Sequence, residues 1–409
     1  MAELNNTFFT ISDSDVVRKT SQVKQLVDIL QVDVSSNSST SEAPSSSNDT
    51  KTRKKYEVFV SGTGENAVTS SLFQTIFDQD FTTQTSNELF DITIGCYDGS
   101  KLVSDASSGT DASGKKLFPN TVLMMREKIN IYKQYAQSLL GDSSSFFTSP
   151  YETTVSSGDN PAERIDEAVF INIKRLFTRD SIVKEQFTMK LFKTAAALSN
   201  DSNIGLPSPS SSAITITDTG ASTSLRVTSQ AGSIGTLKEG SNNVGLIFYE
   251  KGIVVLDAKK IFDGTVNVRG KFTTVSGGVD TQFDGKLVPN LFATGSIDTI
   301  IDHICNTRFG RSTSTAMGFL NQTNINSSIY VCRVAPSQAN YSRNPTYTNS
   351  DGTIRVIDGL DNRGADPFAY ITTIGLYDTD NNLLAVAKTS RPIEKNPEVD
   401  LSISVRIDY

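Results

Sequence analysis

The sequence predicts an α+β protein that is predominantly β, with an antiparallel, sandwich-like C-terminal half, a few short helices and an N-terminal helical arm. Three observations lead there. Hydrophobic residues make up 37% of the 409 and charged residues 20%, and the balance of Ser, Thr, Asn, Asp and Gly suits short strands joined by turns. Past residue 212 the text alternates in short runs separated by turn residues, the period-2 pattern of half-buried strands. Helical periodicity, in contrast, is confined to a few segments.

The first such segment is Ser12–Leu30. Val16, Val23, Leu26, Val27 and Leu30 fall at helical spacing, and Ser12 or Asp13 can cap the first amides. Residues 34–53, VSSNSSTSEAPSSSNDTKTR, hold almost no large apolar groups. They read as a flexible tether that cannot offset its ordering entropy by burial. The chain thus divides into a helical arm (1–33), a Ser-rich linker (34–54), an α+β domain (55–200) and a β-rich domain (201–409). An amphipathic arm on a tether must bury its apolar stripe on the body of its own chain or on a neighbouring subunit; the tether lets it reach a neighbour, so Val16, Val23, Leu26, Val27 and Leu30 are the candidate partner-docking residues.

Along the body, Tyr56–Val60 reads as a strand, 67–77 as a short helix and Phe90–Tyr97 as a strand. Asn120–Leu140 is the clearest helix. Val122, Met125, Ile129, Tyr132, Ala136 and Leu139 line one face, Asn120 caps it, and Gly141 ends it in the left-handed conformation. Ile165–Phe177 fits helix or buried strand equally, and Glu185–Phe192 alternates as a strand. Val244–Tyr249 and Ile253–Asp257 flank Glu250-Lys251-Gly252 as a tight hairpin. Ser296–Cys305 is a short helix with Ile297, Ile300, Ile301 and Ile304 on one side. Phe368–Tyr377, Leu383–Lys388 and Val399–Tyr409 are expected in one antiparallel sheet. In the last strand Leu401, Ile403, Val405, Ile407 and Tyr409 form its buried face.

Charge and composition set classes aside. The net charge of −7 carries no basic face beyond Lys51, Arg53, Lys54 and Lys55, so nucleic acid is not an expected partner. No run approaches the ~20 apolar residues of a membrane helix, and the N-terminus lacks the basic and apolar regions of a signal peptide. No membrane association is expected. Cys96, Cys305 and Cys332 are widely spaced and odd in number, which fits free thiols better than a disulfide framework or zinc site.

Candidates for chemistry are weak. The sole histidine, His303, sits in an Ile-rich helix and has no ligand or nucleophile at a suitable spacing. Gly62-Thr63-Gly64-Glu65-Asn66-Ala67 matches a dinucleotide fingerprint, but the preceding strand carries a charge and no acidic residue follows at the required distance. Asp378, Asp380 and Asn382 have calcium-loop spacing without the Gly and Glu that complete the loop, so a hairpin turn explains them. Asp358–Asp366 reads as a polar loop. With no Trp to supply a sugar-stacking platform and no nucleophile-elbow or phosphate-loop motif, no enzyme, catalytic residue, metal ligand or cofactor is expected.

Several stretches carry a resemblance. NVGLIFYEKGIVVLD, SIDTIIDHICNTRF, TNINSSIYVCRV, NYSRNPTYTNSDGTIRV and above all YITTIGLYDTDNNLLAVAKTSRPIEKNPEVDLSISVRIDY resemble a virion structural protein family of T4-like myophages, notably those of marine cyanobacteria. KINIYKQYAQSLLG and DEAVFINIKRLFTRDSI in the first half are similar to it too. The resemblance implies a particle component, in the tail or baseplate. Such a component is expected to be made in the host cytoplasm and built into the virion through contacts with other virion proteins and with copies of itself. Neck or head placement is the alternative. A carbohydrate-binding fibre tip is a third reading, which calls for a cleft with paired carboxylates and stacked aromatics.

Overall fold

The structure is a computed structural model. It describes residues 9–28, 53–55, 59–61, 68–78, 81–119, 122, 124–152, 163–192, 213–262, 267–268, 272–273, 279–280, 285–286, 292–307, 317–342, 344–355 and 367–409. The chain is 46% strand and 16% helix, so the predominantly β α+β class holds. It forms two compact units that do not follow the expected 55–200 and 201–409 division. One unit holds residues 24–323. The other combines the segment up to Val23 with Asn324–Tyr409.

The N-terminal arm is a strand, not a helix. β1 runs Val16–Asp28 after a single 3-10 turn at Asp13–Asp15. Its Val, Thr and Val residues are β-branched and favour a pleated surface, and β1 lies beside another strand of the same chain. The expected helix over 67–77 is also replaced by strands, Val68–Ser70 and β2, Gln74–Phe77.

The larger unit is built on one antiparallel sheet with helices against it. Its strands are β2, β3 (Glu88–Cys96), β4 (Glu167–Ile173), β5 (Thr188–Phe192), β6 (Ala213–Thr217), β7 (Gly232–Glu239), β8 (Asn242–Phe248) and β9 (Ile253–Asp257). The order is β5-β6-β7-β8-β9-β4-β3-β2, with Arg53–Lys55 beyond β2. β5 and β6, which pair Met189 with Ile216, lie on either side of residue 200, and β9 pairs Val254 with Ile171 of β4. One ladder therefore spans the expected domain boundary, and the ambiguous segment at 165–177 resolves as strand β4 followed by a single helical turn.

Hydrophobicity places β4, β8 and β9 at the centre of the sheet. All five residues of β9 are buried, and Phe170 and Phe248 are fully enclosed. Near-continuous apolar runs such as Ile253–Leu256 belong to strands covered on both faces. Helix α1, Met125–Leu140, covers β3. It starts five residues later than expected, so Met124 rather than Asn120 holds the N-cap position, without a side-chain bond. Tyr132 joins the layers: its hydroxyl donates to the Ile165 carbonyl at 2.8 Å and accepts from the Phe147 amide at 2.9 Å. The rings of Tyr135 and Phe170 stack at 4.1 Å. Gly141 (φ 86°) ends the helix and Gly252 (φ 67°) turns the β8–β9 hairpin, both in the left-handed region that a Cβ disfavours. Helix α2, Ile297–Thr307, buries Ile297, Ile300, Ile301 and Ile304 as its spacing requires.

The smaller unit is built on the second part of β10, which spans Met317–Val334. β13, Leu401–Asp408, pairs along it from Val334–Leu401 to Ser327–Asp408. β1 lies beside β10 as well, and Thr20 Oγ1 donates to Asn326 Oδ1 at 3.0 Å while Arg333 meets Asp15 at 3.3 Å. The remaining strands, β11 (Ala369–Tyr377) and β12 (Leu383–Lys395), form a separate two-stranded ribbon. The final strand therefore does not join the ribbon in one sheet as expected; it belongs to β10. Its alternation is real, but only Val405 is buried, Leu401, Ile403 and Ile407 are half-buried, and Tyr409, expected on the buried face, lies past the strand and is exposed.

Candidate functional site

The five expected docking residues do not share a face. Val27 is buried in the hydrophobic core, Val16 is half-buried, and Val23 and Leu26 are 53% and 72% exposed; Leu30 lies outside the described residues. In a strand, neighbouring side chains point to opposite sides, so residues that would form one helical stripe are split between two surfaces.

The candidate chemistry behaves in the same way. The GTGENA segment at 62–67 lies outside the described residues, but its flanks, Phe59–Ser61 and Val68–Ser70, pair as antiparallel strands. A strand follows where a dinucleotide site needs the N-terminus of a helix. Asp378 serves its own turn: Oδ1 accepts from the amides of Asp380 and Asn382, at 2.9 and 2.7 Å, and Oδ2 accepts from the Asn382 side chain at 2.9 Å. The bonds from Asn382 hold this carboxyl below its usual range. Residues 358–366 lie outside the described residues, as does the side chain of His303 in α2. Among the described residues no group of three His, Cys, Asp or Glu side chains is placed to hold a metal ion. No helix among them is long and apolar enough to cross a membrane. Cys96 and Cys305 are buried thiols in no disulfide, and Cys332 is half-buried. Burial pushes the Cys96 thiol up to about 12, which disfavours the reactive thiolate.

One polar cluster in the larger unit was not expected. Glu167, at the start of β4, is fully buried, with Lys259 Nζ 2.8 Å from Oε2. Asp166 beside it pairs with Arg164 at 2.6 Å. Asp257 caps the short helix Ala258–Ile261 by accepting from the Lys259 amide. Burial raises Glu167 to about 7 and Asp257 to about 6. The cluster sits where β3, β4 and β9 end together, with Cys96 opposite Glu167 and Asp257 opposite Ala168. It is an ion-pair knot that closes the sheet end.

The surface that stands out is the β11–β12 ribbon. At ~3.3 Å per residue its nine-residue strand is about 30 Å long. One face, with Ile371, Ile374 and Leu376, lines a cavity of about 700 Å³ together with Phe9, Ile11 and Ile403. The other face carries apolar groups into solvent: Tyr377, Leu383 and Val386 are 47%, 52% and 53% exposed, and Leu384 and Tyr370 are exposed as well. Gly375 lies under this patch, and a Cβ there would sit 2.7 Å from the Tyr377 ring and 3.3 Å from Leu383. The base is fixed by Lys395. Its ammonium is buried and donates to the Pro336 carbonyl (3.0 Å), Asn340 Oδ1 (2.7 Å) and the Asn396 carbonyl (2.7 Å).

A two-stranded ribbon is marginal in water by itself, and a cluster of exposed apolar side chains marks a contact surface. The run of Tyr, Ile and Leu was visible in the sequence. Its exposure was not, because alternation alone does not say whether the opposite face meets a core. Comparison of the chain with protein-family models, with curated proteins and with solved structures finds no match.

Proposed function

We propose that this chain is a structural subunit of a bacteriophage particle, a tail or baseplate component that works through assembly contacts rather than catalysis. The single observation that carries the assembly role is the β11–β12 ribbon, hydrogen-bonded at its base through Lys395 and exposing Tyr377, Leu383, Leu384 and Val386 on its outer face. Such a surface suits a protein that is folded first and covered later by neighbours in a virion. The particle assignment leans on the resemblance of residues 243–409 to myophage structural proteins. The partners are other virion proteins and further copies of the chain, and the location is the virion. The long β-ribbon without an aromatic-lined carboxylate cleft among the described residues fits a scaffold better than a sugar-binding tip.

The test is quantitative mass spectrometry of purified particles, with tails and heads separated. The chain is expected at a fixed copy number in the tail fraction. Absence from particles, or trace amounts that vary between preparations, would overturn the reading; a fixed copy number in heads would move it to the alternative position.

A further inference from the structure

The strands of the smaller unit differ in how their outer edges are defended. Native edges are blunted by charge, proline or bulges. β1 carries Arg18, Lys19 and Lys24, and β13 carries Arg406 and Asp408. β12 carries Lys388, Arg391 and Pro392, and it bulges where the pairing jumps from Ile371–Ile393 to Thr373–Lys388. β11 has no charged residue and no proline, and among the described residues β12 is the one strand paired with it. It is an undefended edge.

We propose that this edge is covered by a second copy of the chain, with β11 pairing antiparallel to β11 across a two-fold axis at Gly375. The inference rests on reading the ribbon as an assembly contact, and names the partner. Two features select a second copy. The first is facial register. From Thr373 to Tyr377 the side chains alternate regularly between exposed and half-buried. Antiparallel pairing about Gly375 sets Thr373 opposite Tyr377 and Ile374 opposite Leu376 of the other copy, so each face meets its like; a one-residue slip would mix them. Gly375 meets Gly375 at the axis, where side chains are most crowded.

The second feature is charge. The turn at one end of β11 carries Asp378 and Asp380, while Lys388 and Arg391 flank Thr372 and Thr373 at the other end. The proposed pairing brings each Asp378 beside Thr372 of the other copy, one strand spacing (about 4.8 Å) from the strand that bears Lys388 and Arg391. Glu394 lies further along, opposite Tyr370. Parallel pairing would instead bring the acidic turns together. The layout is therefore self-complementary in one orientation, as an isologous contact requires. The product is a four-stranded sheet with the Tyr377, Leu383 and Val386 patches of both copies on one face, past the size at which a sheet holds together in water.

Sedimentation velocity on the full chain, over a wide concentration range, tests this. Wild type is expected to show a reversible dimer. Thr372→Glu, which faces Asp378 twice in the dimer, should weaken it by about tenfold, while Thr372→Lys should leave it unchanged or tighter. Thermal melts matching wild type show that both variants are folded. A monomer at all concentrations, or equal responses to Glu and Lys, would overturn the proposal. A monomeric chain that still needs Leu384 for entry into particles would overturn self-pairing and leave the assembly role standing.

Discussion

The β8–β9 hairpin and the β11–β12 ribbon are the same motif put to opposite uses. Every residue of β9 is buried, whereas β11 buries Ala369 alone among its nine. The first hairpin is flanked by β7 and β4 and contributes Phe248, Val254 and Val255 to the core. The second has neither flanking strand nor cover on its outer face among the described residues. β9 is a near-continuous apolar run while β11 and β12 interleave apolar with polar residues, and among the described residues only the first hairpin has neighbours on both sides. A strand-turn-strand segment becomes core or contact surface according to what the rest of the fold places beside it.

Four measurements probe that contrast. The largest effect is expected from Phe170→Ala in β4. The ring is fully buried against Tyr132, Tyr135 and Phe147, so its loss should cost about 3–5 kcal/mol in denaturant unfolding. Lys395→Met removes a buried ammonium and strands three acceptors, which should cost about 2–3 kcal/mol. Here the change should be local: hydrogen exchange at 369–395 should quicken while β4 and β9 stay protected. Equal quickening in both would show that the ribbon is not an independently anchored element.

The third measurement is pH. Glu167 rises from the ordinary carboxylate range to about 7 because it is buried. The folded state therefore holds this proton more tightly than the unfolded one. The contribution is fully present below the unfolded value of ~4.5 and is lost as pH rises through 7. Glu167 alone should lower stability by about 2 kcal/mol between pH 5 and pH 8; Asp257, raised to about 6 by burial, acts in the same direction, so Glu167→Gln should reduce the slope without removing it. A wild-type profile that rises over this interval would contradict the burial argument. The smallest stability effect is expected from Leu384→Ser on the ribbon. It should change unfolding by less than about 0.5 kcal/mol, since the side chain is 68% exposed. Yet it should reduce incorporation into particles. Loss of stability without loss of incorporation would place Leu384 with the core instead.

What the sequence disclosed follows from how local each signal is. The β8–β9 hairpin and the end of α1 were readable because a glycine at the turn and a run of periodic residues act within a few positions. α2 was readable for the same reason. The arm was misread because Val16, Val23, Leu26 and Val27 satisfy helical spacing, and the partner that makes them a strand, β10, lies some three hundred residues away. The β-branched content of β1 was the signal that pointed the other way. The final strand failed similarly: its alternation was legible, but its pairing with β10 rather than the ribbon is a long-range choice that spacing does not encode. Of the candidate site, the uncharged edge of β11 was legible in its residues, whereas the buried Glu167 knot depends on three strand ends meeting.

The smaller unit is assembled from the segment up to Val23 and from Asn324–Tyr409, with the larger unit inserted between them. During synthesis its first strand emerges long before its partner. The inserted unit, whose strands are mostly joined by short sequence separations, has time to fold while β1 waits for β10. The ribbon emerges later still. The chain thus carries a built-in clock: the surface suited to association is made after the hydrophobic interior of the larger unit, which shortens the interval in which exposed β-edges on a half-made chain can meet the wrong partner.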